Sequence, residues 1–115
     1  EQLRHEQQEK LIVCMFDSKC KWLGDSVVTT GSVSSSIVPP REIFICALEK
    51  KAVHIVMVHN HPSGRAVPSG EDNTVTARIA EAGKLLGIAL SDHIIIGDVL
   101  TSVTGKPGIS HNGKL

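Results

Sequence analysis

Two histidines, His59 and His61, flank one asparagine at the end of an apolar run. Residues at i and i+2 of an extended chain project to the same side, so both rings can converge on one metal ion at about 2.0–2.1 Å. Asp72 follows after a short loop and supplies a carboxylate. Two histidines and one carboxylate leave a fourth zinc position open, which is typical of catalytic sites. We therefore predict a zinc-hydrolase site, with His59, His61 and Asp72 as metal ligands and a metal-activated water as the attacking species.

Asp72 has a second interpretation. Ser69 and Asp72 have the spacing of a helix capping box, in which Asp72 would bond to a free amide at the start of a helix. Val75 and Ile79 share a helical face with Asp72, which predicts that this carboxylate faces the sheet and must be paired there. The two histidines, for their part, could be ordinary polar residues at a strand end. The residues alone leave the cap and the ligand open.

The elements that must position these residues alternate between strand and helix. The apolar run 11–16 predicts a strand buried on both faces. The segment 22–30 predicts a second strand that forms a hairpin with the first. Pro39-Pro40 favours a helix start, and Gly87 favours the end of a helix that begins near Ser69. Further strands are expected at 53–58, 93–96 and 99–103. The order ββαβαβ(β) predicts an α/β fold, a mixed β-sheet flanked by helices.

Hydrolysis also needs a group that takes a proton from water and passes it to the leaving amine, and a glutamate is expected. A crossover helix should make the third strand parallel to the second, so the start of the first strand lies at the His59 end of the sheet. Glu9 stands at that start and is our choice. Glu42 is the rival, because its helix begins at the same end; alternatively it is a first-turn acid facing the helix dipole. Ser69 is expected to donate a hydrogen bond to the oxyanion or to the water.

Composition limits the other possibilities. The 115 residues suit one domain, 1–115, and Lys plus Arg equals Asp plus Glu at 12 each, so we expect no direct nucleic-acid binding by this fragment. No apolar run has the length of a membrane span. Three cysteines without a CxxC pair indicate neither a disulfide scaffold nor a cysteine zinc site, and favour the cytoplasm. His54 is expected to be a core or edge histidine. His93 is expected to be an ordinary residue at a strand start, and a pair with its neighbour Asp92 that supports the metal ligands is the alternative.

The segment HNHPSGRAVPSGEDNTVTARIAEAGKLLGIALSDHIIIGD, with PREIFICAL upstream, resembles the RadC family. That family belongs to the JAB/MPN superfamily of zinc metalloproteases, whose JAMM motif is a Glu, then His-x-His, then Ser-x-x-Asp. His59, His61, Ser69 and Asp72 match the motif, and the position of Glu9 resembles that of the family's acidic residue.

The resemblance implies the JAB/MPN fold, related to cytidine deaminases, and hydrolysis of peptide or isopeptide bonds in a peptide or protein substrate. Full-length relatives resemble a helix-hairpin-helix module followed by this domain. That module is absent here, and the chain lacks an initiator Met, so we expect a piece of a longer protein. The family's historical name leaves an alternative open, a non-enzymatic accessory domain associated with DNA repair or recombination.

Overall fold

Five strands and two helices make up the fold. The computed structural model describes residues 8–31 and 38–105. In chain order the elements are β1 (Lys10–Phe16), β2 (Trp22–Thr30), α1 (Pro40–Glu49), β3 (His54–Asn60), α2 (Gly70–Leu86), β4 (Ala89–Ile96) and β5 (Leu100–Ser102). The predicted order of strands and helices is confirmed, and the mixed sheet with two helices is consistent with a JAB/MPN fold.

The sheet has the strand order β2-β1-β3-β4-β5. β1 is antiparallel to both β2 and β3, so β2 and β3 run parallel to each other, as the crossover predicts. Leu11 therefore lies opposite His59, and the start of β1 meets the end of β3. Because β3 and β4 are parallel, their carboxyl ends lie at this same edge, which is where open α/β sheets place ligand sites.

The buried core lies between both helices and one face of the sheet. Ile12, Cys14 and Phe16 on β1 alternate with buried residues and are themselves only partly buried. The prediction that 11–16 is buried on both faces is wrong, because α1 and α2 contribute to a single cluster on one face. Its principal members are Leu11, Val13, Met15, Ile43, Phe44, Ala47, Ile55, Met57, Val75 and Ile79.

Local signals set the ends of α2. Ser69 is its N-cap, and Gly87 ends it in the left-handed conformation with φ 71°, which glycine adopts without a steric penalty. α1 starts with Pro40 in its first turn, where a missing N–H is harmless. None of the helices within 8–31 and 38–105 is long and apolar enough to cross a membrane.

Candidate metal centre

His59, His61 and Asp72 come together where β3 ends and α2 begins. Asp72 Oδ1 lies 3.2 Å from His59 Nδ1, and Asp72 Oδ2 lies 3.3 Å from His61 Nε2. One nitrogen or oxygen atom from each residue lies within 4.8 Å of the others, so the three side chains could hold a metal ion. His59 and Asp72 are buried, and His61 is partly buried.

The His61 ring has a defined protonation pattern. Its Nδ1 is 2.7 Å from the Arg65 carbonyl oxygen, and a carbonyl can only accept, so Nδ1 carries the proton. In the neutral ring Nε2 then presents a lone pair to Asp72 Oδ2, which is also an acceptor. Two acceptors at this distance repel each other unless a proton or a cation lies between them, so the contact fits a metal ion.

The His59 ring faces two carboxylates. Its Nε2 is 3.4 Å from Glu9 Oε2. Its buried Nδ1 lies 3.2 Å from Asp72 Oδ1 but in a geometry that makes no hydrogen bond to any described residue. A buried ring nitrogen without a partner is costly. A cation bound between His59 and Asp72 would satisfy this atom.

Asp72 caps α2 and also faces the histidines, so the two interpretations of its spacing are compatible. Ser69 N–H donates to Asp72 Oδ2 at 2.7 Å, and Asp72 N–H donates to Ser69 Oγ at 3.0 Å. Burial by itself raises the pKa of Asp72, but the His59 ring and the amide and hydroxyl of Ser69 outweigh it and hold the pKa well below its usual value. The carboxylate is therefore ionised and ready to bind a cation.

Glu9 and Glu42 differ in their relation to the site. β1 places Glu9 two residues before Leu11, on the side of the sheet that carries His59. Glu9 lines the same cavity as His59, His61 and Asp72. Glu42 is exposed, pairs with its neighbour Arg41 at 3.7 Å and is not part of that cavity lining.

Asn60 fixes the backbone around Glu9. Its Oδ1 accepts from Lys10 N–H at 2.6 Å, and its Nδ2 donates to the Gln8 carbonyl at 3.0 Å. On the β2 side of the chain, Gly31 N–H donates to the Glu9 carbonyl oxygen at 2.7 Å. Because Asn60 is 1% exposed, its amide replaces main-chain pairing where β1 starts. The sequence indicates only that Asn60 points away from the two histidines.

Asn60→Leu should lower the free energy of unfolding by about 1–3 kcal/mol, because it keeps the side-chain size but removes both hydrogen bonds of the buried amide. Urea unfolding measures the change. Asn73→Leu is the control, since Asn73 is exposed on α2 and surface changes usually stay within about 0.5 kcal/mol. Equal effects of the two substitutions would contradict this role of Asn60.

The loop after β3 closes one side of the site. His61 N–H donates to the Ile96 carbonyl at 2.8 Å, and Asp98 N–H donates to the Gly64 carbonyl at 2.6 Å. A Cβ on Gly97 would lie 2.5 Å from that Gly64 carbonyl oxygen, so the close approach of the two loops requires glycine there. The cavity beside the loop has a volume of about 240 Å³ and is lined by Glu9, His59, His61, Pro62, Ser63, Ser69 and Asp72.

His93 is a neighbour of the site, whereas the sequence favours an ordinary residue at a strand start. Instead of starting a strand it lies within β4, and its ring contacts Thr76. Asp92 accepts from the His93 backbone N–H and from two nearby hydroxyls. The ring stacks on His59 with centroids 5.8 Å apart. Burial, followed by the charge of His59, lowers the pKa of His93 to about 4, so the ring is neutral near pH 7.

A register shift explains the position of His93. Ile55 pairs with Leu90 but Val56 pairs with Asp92, so the register skips Ser91. The shift turns His93 to the helix-covered face, opposite Met57 and diagonal to His59. Without it Asp92 would take that place. No signal in the sequence marks the shift.

Comparison with known proteins points to one family. The sequence profile of the RadC-like JAB domain family matches residues 1–108. A UPF0758 protein of Methanosarcina mazei is 50% identical over 96 residues, which are 84% of this chain and 42% of that protein. A UPF0758 protein of Clostridium kluyveri is 47% identical over 109 residues, 95% of this chain and 48% of that protein.

The chain thus spans less than half the length of these curated relatives. A third relative, a UPF0758 protein of Alkaliphilus metalliredigens, is 45% identical over 98 residues, 85% of this chain and 42% of that protein. The match of the family profile covers most of the chain, including the three residues that could hold a metal. The chain belongs to the RadC-like JAB domain family.

Proposed function

We propose that this domain is a zinc-dependent hydrolase of peptide or isopeptide bonds. The observation that carries the proposal is that His59 Nδ1 and His61 Nε2 face the two oxygens of one buried carboxylate, Asp72, at 3.2 and 3.3 Å. Calcium and magnesium take oxygen ligands, so two imidazoles in a set of three favour zinc. Three protein ligands leave room for a water or a substrate atom.

The residues around this set have the chemistry that amide hydrolysis needs. Zinc, when bound, would polarise the scissile carbonyl and lower the pKa of a coordinated water to about 7. Glu9, whose side chain is one-third exposed, would hold at its carboxylate the proton of the attacking water and pass it to the leaving nitrogen. The Ser69 hydroxyl accepts from Asp72 N–H, so its own proton remains to be donated to the substrate's oxyanion, an interaction worth about 2.7–4 kcal/mol.

The proposal is tested by screening purified, zinc-loaded protein against peptides and isopeptide-linked peptide pairs. We expect cleavage of at least one substrate class, loss of cleavage with a chelator, and recovery on adding zinc. Mass spectrometry of the products identifies the bond that is broken. Stoichiometric zinc without cleavage of any substrate would instead favour the accessory, non-enzymatic role associated with DNA repair.

We further propose that the partner of this domain is a peptide or protein and not a nucleic acid. Its formal net charge is zero and only 3% of its residues are aromatic, which offers neither a general electrostatic attraction to phosphates nor a stacking surface. Duplex DNA should bind more weakly than about 10⁻⁶ M and only at low salt. Fluorescence anisotropy at increasing salt measures this, and tight binding at physiological salt would overturn it.

A reducing cytoplasm is the proposed environment. Cys14, Cys20 and Cys46 are all free thiols. Burial, followed by the charge of Asp25, raises the pKa of Cys14, which makes this thiol less reactive. Free cysteines in a small domain are typical of reducing compartments.

A further inference from the structure

Two hydrogen bonds and one ring contact, all outside the ligand set, connect the metal-ligand candidates Asp72 and His59. The Thr76 hydroxyl donates to the Asp72 carbonyl oxygen at 2.7 Å, one turn back along α2. The same Oγ1 lies 2.8 Å from His93 Nδ1. The ring of His93 in turn stacks on the ring of His59, with an angle of 26° between the ring planes.

The direction of these hydrogen bonds fixes the tautomer of His93. A hydroxyl has one proton, and that of Thr76 is given to the Asp72 carbonyl. Thr76 Oγ1 must therefore accept from His93, so Nδ1 of this ring carries the proton. His93 is 0% exposed, and its Nε2 has no hydrogen-bond partner within the described residues. Among those residues, the bond to Thr76 is therefore the hydrogen bond that orients the ring.

We propose that His93 and Thr76 are positioning residues for metal binding. They fix the position of the His59 ring relative to the first turn of α2, which carries Asp72. The His93 ring packs against the His59 ring, and the Thr76 hydroxyl links His93 to the backbone carbonyl of Asp72. Neither residue belongs to the group that could bind the ion directly. The inference rests on the proposed metal site and adds the residues that preorganise it.

The chain contains a matched control for Thr76. Thr74 makes the same kind of bond on the same helix, from its hydroxyl to the Gly70 carbonyl at 3.0 Å, but it is exposed. Valine has nearly the shape of threonine without the hydroxyl, so Thr76→Val and Thr74→Val remove the same type of bond. Only the first removes the link to His93.

Zinc affinity, measured by competition with a chromophoric chelator, should fall about 10–100-fold in Thr76→Val, as is typical when partners of metal ligands are removed. Thr74→Val should keep the wild-type affinity. Thr76→Ser should also keep it, because serine retains the hydroxyl. The visible absorption bands of the cobalt-loaded protein report ligand geometry, and they should change in Thr76→Val but not in Thr74→Val. Circular dichroism checks the fold of each variant.

His93→Ala should weaken zinc binding at least as much as Thr76→Val. If His93→Ala does not fold, the result for Thr76→Val alone tests the inference. In the metal-free wild type, NMR of the ring nitrogens should show the proton of His93 on Nδ1. Wild-type affinity and cobalt spectrum in Thr76→Val, or a proton on Nε2, would overturn the inference while the metal site stands. A wild-type protein that binds no zinc would overturn the proposed function and this inference with it.

Discussion

The purified protein is expected to hold close to one zinc ion per chain, and changing His59 and His61 together to alanine is expected to remove it. The variant keeps one ligand of three, Asp72, and a single carboxylate in water binds zinc too weakly to retain it through purification. Metal analysis of the purified, dialysed protein measures the loss. This is the largest change in metal content that any substitution in the chain should cause.

His54→Ala is the control for this experiment. His54 is also on β3 but lies at its opposite end, where Nδ1 is 3.3 Å from Ser91 Oγ, and it lines a different cavity. Its zinc content should equal that of the wild type. Asp72→Asn should give an intermediate result, weaker zinc binding with a retained cap, because the amide oxygen can still accept from Ser69 N–H. An unchanged zinc content in the double variant would contradict the proposed ligands.

Glu9→Gln should keep the zinc and the fold while it lowers the rate of hydrolysis about 10²–10⁴-fold, the usual contribution of a general base. Glutamine is nearly the size of glutamate, so the packing beside His59 should survive. Its amide cannot take a proton from water. The measurement is turnover of a substrate found in the peptide and isopeptide screen, with zinc content determined on the same samples.

Glu42→Gln is the matched control, the same chemical change on an exposed side chain. This substitution should lower the free energy of unfolding only by the lost helix-dipole interaction, roughly 0.3–1 kcal/mol. It should leave turnover unchanged. Loss of turnover in Glu42→Gln with activity retained in Glu9→Gln would mean that the base has been assigned to the wrong glutamate. Activity in both variants would mean that zinc alone activates the water or that another residue accepts its proton.

Several features of the candidate site are predictable because they depend on short-range rules. The i, i+2 spacing sends His59 and His61 to one side of the chain, and the capping box places Asp72 in the first turn of α2. The hairpin and the crossover together bring Glu9 to the same end of the sheet. The first two features follow from residues that are close in sequence. The position of Glu9 follows from the order of the strands and helices.

Other features depend on contacts that no local pattern encodes. The burial of β1 on one face alone depends on where the helices pack, and a run of apolar residues does not specify this. The exposure of Glu42 depends on the rotation of α1 about its axis, although Glu42 and Glu9 are equivalent by topology. Asn60 holds the segment around Glu9 across 50 and 52 residues of sequence.

The sequence by itself therefore determined the types and spacing of the candidate ligands and the edge of the sheet where they meet, since strand and helix periodicity are properties of consecutive residues. The tertiary structure decided which polar residues support them. The skipped residue Ser91 turns His93 onto the inner face of β4, and Thr76 reaches it from α2 at 2.8 Å. Such a contact exists only once the two elements have packed, because its free energy comes from burial and hydrogen bonding between distant segments rather than from local conformational preference.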